Sequence, residues 1–192
     1  VMARIAEQHD ALEVFVSNVC VVQPTAGIES YNRRAMNKSL EMSAWPLVSY
    51  TKAAHKAMGS YPRYVVGISS DGPDVYYERY EYVALAKTVM EVLGRYMSAH
   101  LADEPVNVNM VRTRNVLTQS CLTIHGEDYP AFIRRFGGES HFIEAYEVGE
   151  VVLALCSGWL DALNGQVINV DKAGTFSDNI MRIFHNREEY GL

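Results

Sequence analysis

At 192 residues, 48% of them apolar and 21% charged, the chain is long enough for one domain, 1–192, with a substantial core. A formal charge of −6, with Lys and Arg scattered, excludes nucleic acid and an anionic membrane surface as electrostatic partners. No apolar run reaches the ~20 residues of a membrane span, no secretory leader is expected, and three distant cysteines (Cys20, Cys121, Cys156) do not make a disulfide framework, so a reducing, cytoplasmic setting is expected.

The opening VMARIAEQHD reads as the middle of a helix with Val1, Ile5 and Ala6 on one face. A start on Val is expected to reflect a truncated, processed or partly absent N-terminal region, or an alternative start codon. LEVFVSNVCVV, residues 12–22, has the Val-rich apolar run of a strand buried on both faces of a parallel sheet, and Pro24 and Gly27 end it. A long helical stretch over 29–58 follows, with a kink or break expected at Pro46 and an end at Gly59 and Pro62. YVVGISS, 64–70, is the second strand, and Asp71, Gly72, Pro73 and Asp74 make a loop. A helix is predicted from about Tyr77 to His100, most of whose surface is able to pack. VNVNMV, 106–111, is the third strand. Helices are predicted around Pro130–Phe136 and Ala145–Cys156, and QVINVD, 166–171, is the last strand. The tail IMRIFHNREEYGL is mildly amphipathic. Strands alternating with helices predict an α/β fold with a Rossmann-like parallel sheet and flanking helices.

Four strings carry a family resemblance in order. LEVFVSN ends in Asn18; VVGISS contains Ser69 and Ser70; YVALAKTVMEVLGRYMSAHL contains Lys87; NGQVINVD closes the series. Together they resemble the short-chain dehydrogenase/reductase family over about residues 1–175. They match, in turn, its Asn-bearing strand end, the strand that delivers its active-site serine, the helix with its active-site lysine, and its final strand. The usual family Tyr, four residues before the Lys, is replaced here by Val83, which has no proton to donate. Tyr80 lies seven residues before Lys87, and RYEYVALAK, followed by VNVNMVRTRNVLT, resembles the enoyl-acyl-carrier-protein reductase branch. Seven residues are about two helical turns, which puts Tyr80 and Lys87 on one face, ~10 Å apart along the axis.

The resemblance implies an NAD- or NADP-dependent oxidoreductase acting on a small-molecule or acyl-carrier-bound substrate, an acyl thioester or a related enone or ketone. Tyr80 would be proton donor and oxyanion partner, Ser70 a further catalytic residue, and Lys87 the ribose-binding group. Asn18, Lys87 and Thr118 would contact cofactor. Stabilising a developing enolate oxygen in a dry pocket is among the largest catalytic effects. Each residue also has a plainer reading: Tyr80 as a packing aromatic, Ser70 and Asn18 as turn residues. The resemblance further implies a homodimer or homotetramer built through residues 29–58 and 77–100.

The sequence also departs from the family. It contains no Gly-x-x-x-Gly-x-Gly run, whose glycines let a backbone approach a pyrophosphate. The resemblance begins at the helix before the fourth family strand, so the fold is expected to be truncated on its nucleotide-binding side. The strand at 12–22 would then be an open edge covered by more of the same protein, another copy or another protein, unless the fold is rebuilt. Val19 and Cys20 stand where small residues sit beside the cofactor. Arg112 and Arg114 are expected to bring positive charge to the loop after the third strand. These departures leave a second expectation: a cofactor-free derivative that binds or scaffolds, or a redox-neutral isomerase, cyclase or lyase. The six histidines are dispersed, and Cys121 with His125 is too small a set for metal. Pairs such as Glu147 and Glu150, or Glu127 and Asp128, read as solvated faces.

Overall fold

The computed structural model describes residues 1–138 and 141–192. Four strands, β1 (Val14–Ser17), β2 (Tyr64–Ser70), β3 (Asn107–Thr113) and β4 (Val167–Val170), form one sheet in the order β1-β2-β3-β4. All three pairings are parallel, with Val14 opposite Tyr64, Tyr64 opposite Asn107 and Met110 opposite Val167. β2 and β3 are central and buried along most of their length, which is why their middles, Val65–Ile68 and Val108–Val111, are largely apolar.

Helices cover both faces. The helices α3 (Trp45–Met58) and α4 (Glu81–His100) lie on one side, where Leu47, Ala86 and Met90 pack on Val65, Val108 and Met110. On the other side α7 (Ala145–Leu155) packs Leu155 against Val66 and Val111. Residues 65 and 66 thus face opposite layers, as strand alternation requires. α4 lies close to the sheet because Gly67 and Gly94 leave room for the Met110 side chain. A Cβ on either glycine would meet the Met110 thioether end at 2.5–2.6 Å. Smaller helices complete the chain: α1 (Met2–Ala6), α2 (Arg33–Ser39), α5 (Gln119–His125), α6 (Tyr129–Gly137) and α8 (Asn179–His185).

Several expectations shift in detail. The strand at 12–22 is paired only over Val14–Ser17; it is an edge, and Val14 and Val16 are 39% and 38% exposed. The helical stretch 29–58 is divided. Ile28–Ser30 forms a 3-10 turn, α2 is capped by Asn32 accepting from the Ala35 amide, and Leu40–Ala44 forms a π-helical turn before α3. Pro46 sits in the first turn of α3, where its missing N–H costs nothing, so the break falls just before it. Gly59 closes α3 in the left-handed region at φ 78°. α4 begins at Glu81 rather than Tyr77, because Arg79 has a φ of 67° and Tyr80 is the N-cap. The third strand runs on to Thr113, so Arg112 lies in β3 and not in a loop. The two helical stretches thought to meet a second copy expose Met42, Trp45, Tyr50, Val92 and Tyr96.

Candidate active site

The parallel strands end on one side of the sheet, and a cleft of about 530 Å³ opens there. Ligands of open parallel sheets bind in this position, outside the carboxyl ends of the strands. Residues at or just beyond the ends of β1, β2 and β3 line it: Asn18, Ser70 and Asp71, then Thr113 and Asn115. From α4 and its cap come Tyr80, Val83 and Lys87. α5 supplies Ile124 and His125, and α7 supplies Val148 and Val152.

Lys87 is buried, and its ammonium donates to the Ile68 carbonyl at 2.6 Å. Burial lowers its pKa; Cys20 and then Glu91 oppose that effect. Tyr80 is held at the N-cap, and its ring lies across Gly72, where a Cβ would come within 2.7 Å of it. Only a residue without a side chain permits that approach. Burial raises the Tyr80 phenol above its ordinary range, with the nearby Ser70 hydroxyl acting the other way. The phenol is therefore a neutral donor at physiological pH. The Ser70 hydroxyl oxygen is buried and meets no partner at hydrogen-bonding geometry. Buried polar atoms are rarely left so. Val83 is buried four residues before Lys87, as the sequence required.

The structure brings Ser70, Tyr80, Lys87, Asn18 and Thr118 to one cleft. Asn18 and Thr118 are exposed on its rim. Thr118 also has a local duty as N-cap of α5, where its hydroxyl accepts from the Cys121 amide at 3.2 Å. Arg112 and Arg114 do not present free charge to a loop. Arg112 is bound by Glu91 through two hydrogen bonds, at 3.0 and 2.6 Å, and by Asp74. Arg114 Nε lies 3.4 Å from Asp71 Oδ2.

Three features escaped sequence reasoning. Glu91 is buried and also accepts from the Ser69 hydroxyl at 2.6 Å. An acid four residues after Lys87, in the middle of a helix most of whose surface was expected to pack, was the available signal. Asp71, placed in a loop, is 6% exposed and accepts from the Tyr77 hydroxyl. Ser43, in the π-helical turn, accepts from the Val21 amide at 2.9 Å and so ties the loop after β1 to the helical layer. Among the described residues no group of three or more His, Cys, Asp or Glu is placed to hold a metal ion. No helix among them is long and apolar enough to cross a membrane.

A parallel α/β sheet with helices on both faces and a cleft at its carboxyl edge defines a Rossmann-like fold. The sequence pattern of the family described as enoyl-(acyl carrier protein) reductase matches residues 1–174, and the chain belongs to that family. It is 22% identical to the enoyl-acyl-carrier-protein reductase (NADH) FabI of Aquifex aeolicus (strain VF5), over 96% of this chain and 68% of that protein. It is 26% identical to the FabI of Buchnera aphidicola subsp. Schizaphis graminum, over 75% of this chain and 55% of that one. Among solved structures, FabI from Candidatus Liberibacter asiaticus superposes with a TM-score of 0.79 at 17% identity, covering 91% of this chain and 69% of the other. A gluconate 5-dehydrogenase from Burkholderia cenocepacia J2315, solved with NADP and tartrate, gives 0.76 at 16% identity, covering 92% and 70%.

The residues present fit one end of a nicotinamide dinucleotide. The buried Lys87 ammonium suits ribose hydroxyls, and the buried Ser70 hydroxyl beside Tyr80 suits a carbonyl or hydroxyl. No glycine-rich segment for the pyrophosphate lies within the 192 residues.

The buried cation makes stability depend on pH in a defined sense. Lys87 has a lower pKa folded than unfolded, so the unfolded chain binds more protons and stability rises with pH. The gain falls between the folded pKa and the ordinary Lys value. Lys87→Met lacks it. The Tm of this variant minus that of the parent is therefore expected to be lower at pH ~10.4 than at neutral pH. A difference that stays flat across that range would show that Lys87 carries its charge without penalty.

Proposed function

We propose that the cleft performs an NAD(P)-dependent reduction of a carbonyl-conjugated substrate, an acyl thioester or a related enone or ketone. The observation that carries this reading is the convergence of Tyr80, Lys87 and the buried Ser70 hydroxyl on one cleft at the strand ends. Membership of the enoyl-(acyl carrier protein) reductase family, and the NADH and NADP in the names of relatives, support it.

The nicotinamide, when bound, supplies hydride. Tyr80, neutral because it is buried, donates a hydrogen bond to the substrate carbonyl oxygen as negative charge develops there. Ser70 is the second donor. Lys87, fixed by the Ile68 carbonyl, holds ribose hydroxyls and keeps a positive charge behind the phenol. Asn18 and Thr118, on the rim, would contact the cofactor. Val83, Ile124, Val148 and Val152 keep water from the reacting centre.

A cofactor-free role for the same cleft, in binding or in redox-neutral chemistry, is the second reading; Val83 in place of the usual family Tyr favours it. Thermal unfolding with NADH or NADPH at millimolar concentration separates the two. A ligand at a hundred times its Kd stabilises by about 2.7 kcal/mol, so a clear rise in Tm is expected, with oxidation of the dinucleotide when crotonyl-pantetheine is added. No shift with either dinucleotide would sink the reductase reading.

A further inference from the structure

Asp71 lines the cleft beside Tyr80, yet the reduction proposed above gives it no task. It follows Ser70 at the end of β2, and it is buried. The Tyr77 hydroxyl donates to Oδ2 at 2.6 Å, and Arg114 Nε approaches the same oxygen at 3.4 Å. Both interactions fall on Oδ2; Oδ1 takes part in neither. Arg114 Nε meets no acceptor at hydrogen-bonding geometry, so that pairing is one of charge alone. A carboxylate has about four acceptor positions, and Tyr77, Arg114 and the residue's own backbone N–H use at most three. Burial raises the Asp71 pKa, although Tyr77, Arg114, its own backbone N–H and Arg112 all act to lower it.

The wall around this carboxylate is continuous with the reacting phenol. The Tyr77 ring meets Tyr80 edge-on at 5.7 Å and His125 at 6.2 Å. Tyr129 stacks on His125 at 4.4 Å and donates to Asn115 at 2.8 Å. An alkyl chain laid along this wall would strip water from Asp71 and return no hydrogen bond, which is costly. A ligand hydroxyl would return one.

We infer that Asp71, held by Tyr77, is a substrate-recognition residue that accepts a hydrogen bond from a hydroxyl group on the carbonyl compound being reduced. Ser70 and Asp71 are consecutive, ~3.8 Å apart at Cα, and both line the cleft. A substrate whose carbonyl meets Ser70 and Tyr80 therefore presents its hydroxyl within a few bonds of that carbonyl. The substrate class is a hydroxylated ketone or enone rather than an unsubstituted alkyl enoyl chain. This inference rests on the reading of the cleft as a carbonyl-reducing site.

The test uses the whole 192-residue chain, both dinucleotides, and two ketones that differ by one hydroxyl, 1-hydroxy-2-butanone and 2-butanone. The parent is expected to favour the hydroxylated ketone in kcat/KM by about ten- to a hundredfold, the worth of a hydrogen bond to a buried charge. Asp71→Asn should collapse that ratio. Tyr77→Phe, which leaves the Asp71–Arg114 pair in place, should shrink it too and serves if Asp71→Asn does not fold. Equal kcat/KM for the two ketones in the parent, or a ratio that neither variant changes, overturns the inference and leaves the reductase reading standing. If no ketone or enoyl thioester is turned over, the reductase reading fails, and ligand-observed NMR with the same pair decides the recognition site. Preferential binding of the hydroxylated ketone that Asp71→Asn removes supports it; equal or absent binding overturns it.

Discussion

Glu91→Leu is expected to destabilise the protein by about 3–5 kcal/mol, read as a shift in urea midpoint at constant m-value. Glu91 sits on the buried face of α4 and holds three things at once. It binds the Arg112 guanidinium through Nε and Nη2, and it accepts from the Ser69 hydroxyl. The side chains of Arg112 and Glu91 are 14% and 6% exposed, so solvent does not replace the lost partner. Leucine would leave a half-buried cation and a buried hydroxyl stranded, with only Asp74 still reaching Arg112. The double variant Glu91→Leu/Arg112→Met removes both charges and should recover most of the loss, because an apolar pair of similar volume avoids the desolvation penalty. A single-variant cost below about 1 kcal/mol would mean that this pair behaves as an exposed one. The site should also feel the change. Ser69 adjoins Ile68, whose carbonyl holds Lys87, so loosening this strand end loosens the lysine.

Tyr80→Phe is expected to lower kcat/KM by about 10²–10⁴-fold, the usual worth of a positioned proton donor, with Tm close to the parent. Phenylalanine keeps the ring that lies over Gly72 and against Tyr77, so packing survives while the donor disappears. Steady-state kinetics with the preferred carbonyl substrate, together with thermal unfolding, separate chemistry from folding. Turnover that persists unchanged would remove Tyr80 from the mechanism. A large fall in Tm would assign it a packing role.

The alternation of strands and helices was legible because a central parallel strand is largely apolar on both faces, as the middles of β2 and β3 are apart from Asn109. The same signal overran at 12–22. Hydrophobicity reports burial, not pairing, and residues beyond Ser17 turn away to line the cleft, as Cys20 and Val22 do. The start of α4 was misplaced because a left-handed Arg79 carries no mark in the sequence. α5 was missed because seven residues show no clear period; its Thr118 cap was the one visible sign. The resemblance assembled Ser70, Tyr80, Lys87, Asn18 and Thr118, which the fold places in one cleft. It was silent on Asp71 and Glu91, whose partners lie 6 to 43 positions away in sequence and meet only when strand ends and helix are in place. Arg112 and Arg114 were read as loop charge for the same reason: nothing local announces an acid that arrives from another element.

The Met110 side chain, wedged between Gly67 and Gly94, has a chemical consequence. It is 1% exposed, and its thioether fills the gap that the two glycines leave. A sulfoxide oxygen has no room there, since protein interiors are already close-packed. Peroxide therefore reaches this sulfur only when α4 lifts from the sheet, while Met42 and Met181, about half exposed, meet the oxidant in the closed protein. Once oxidised, Met110 would keep the helix that bears Lys87 from settling back on β2, so that a single oxygen atom would make one opening of the core permanent.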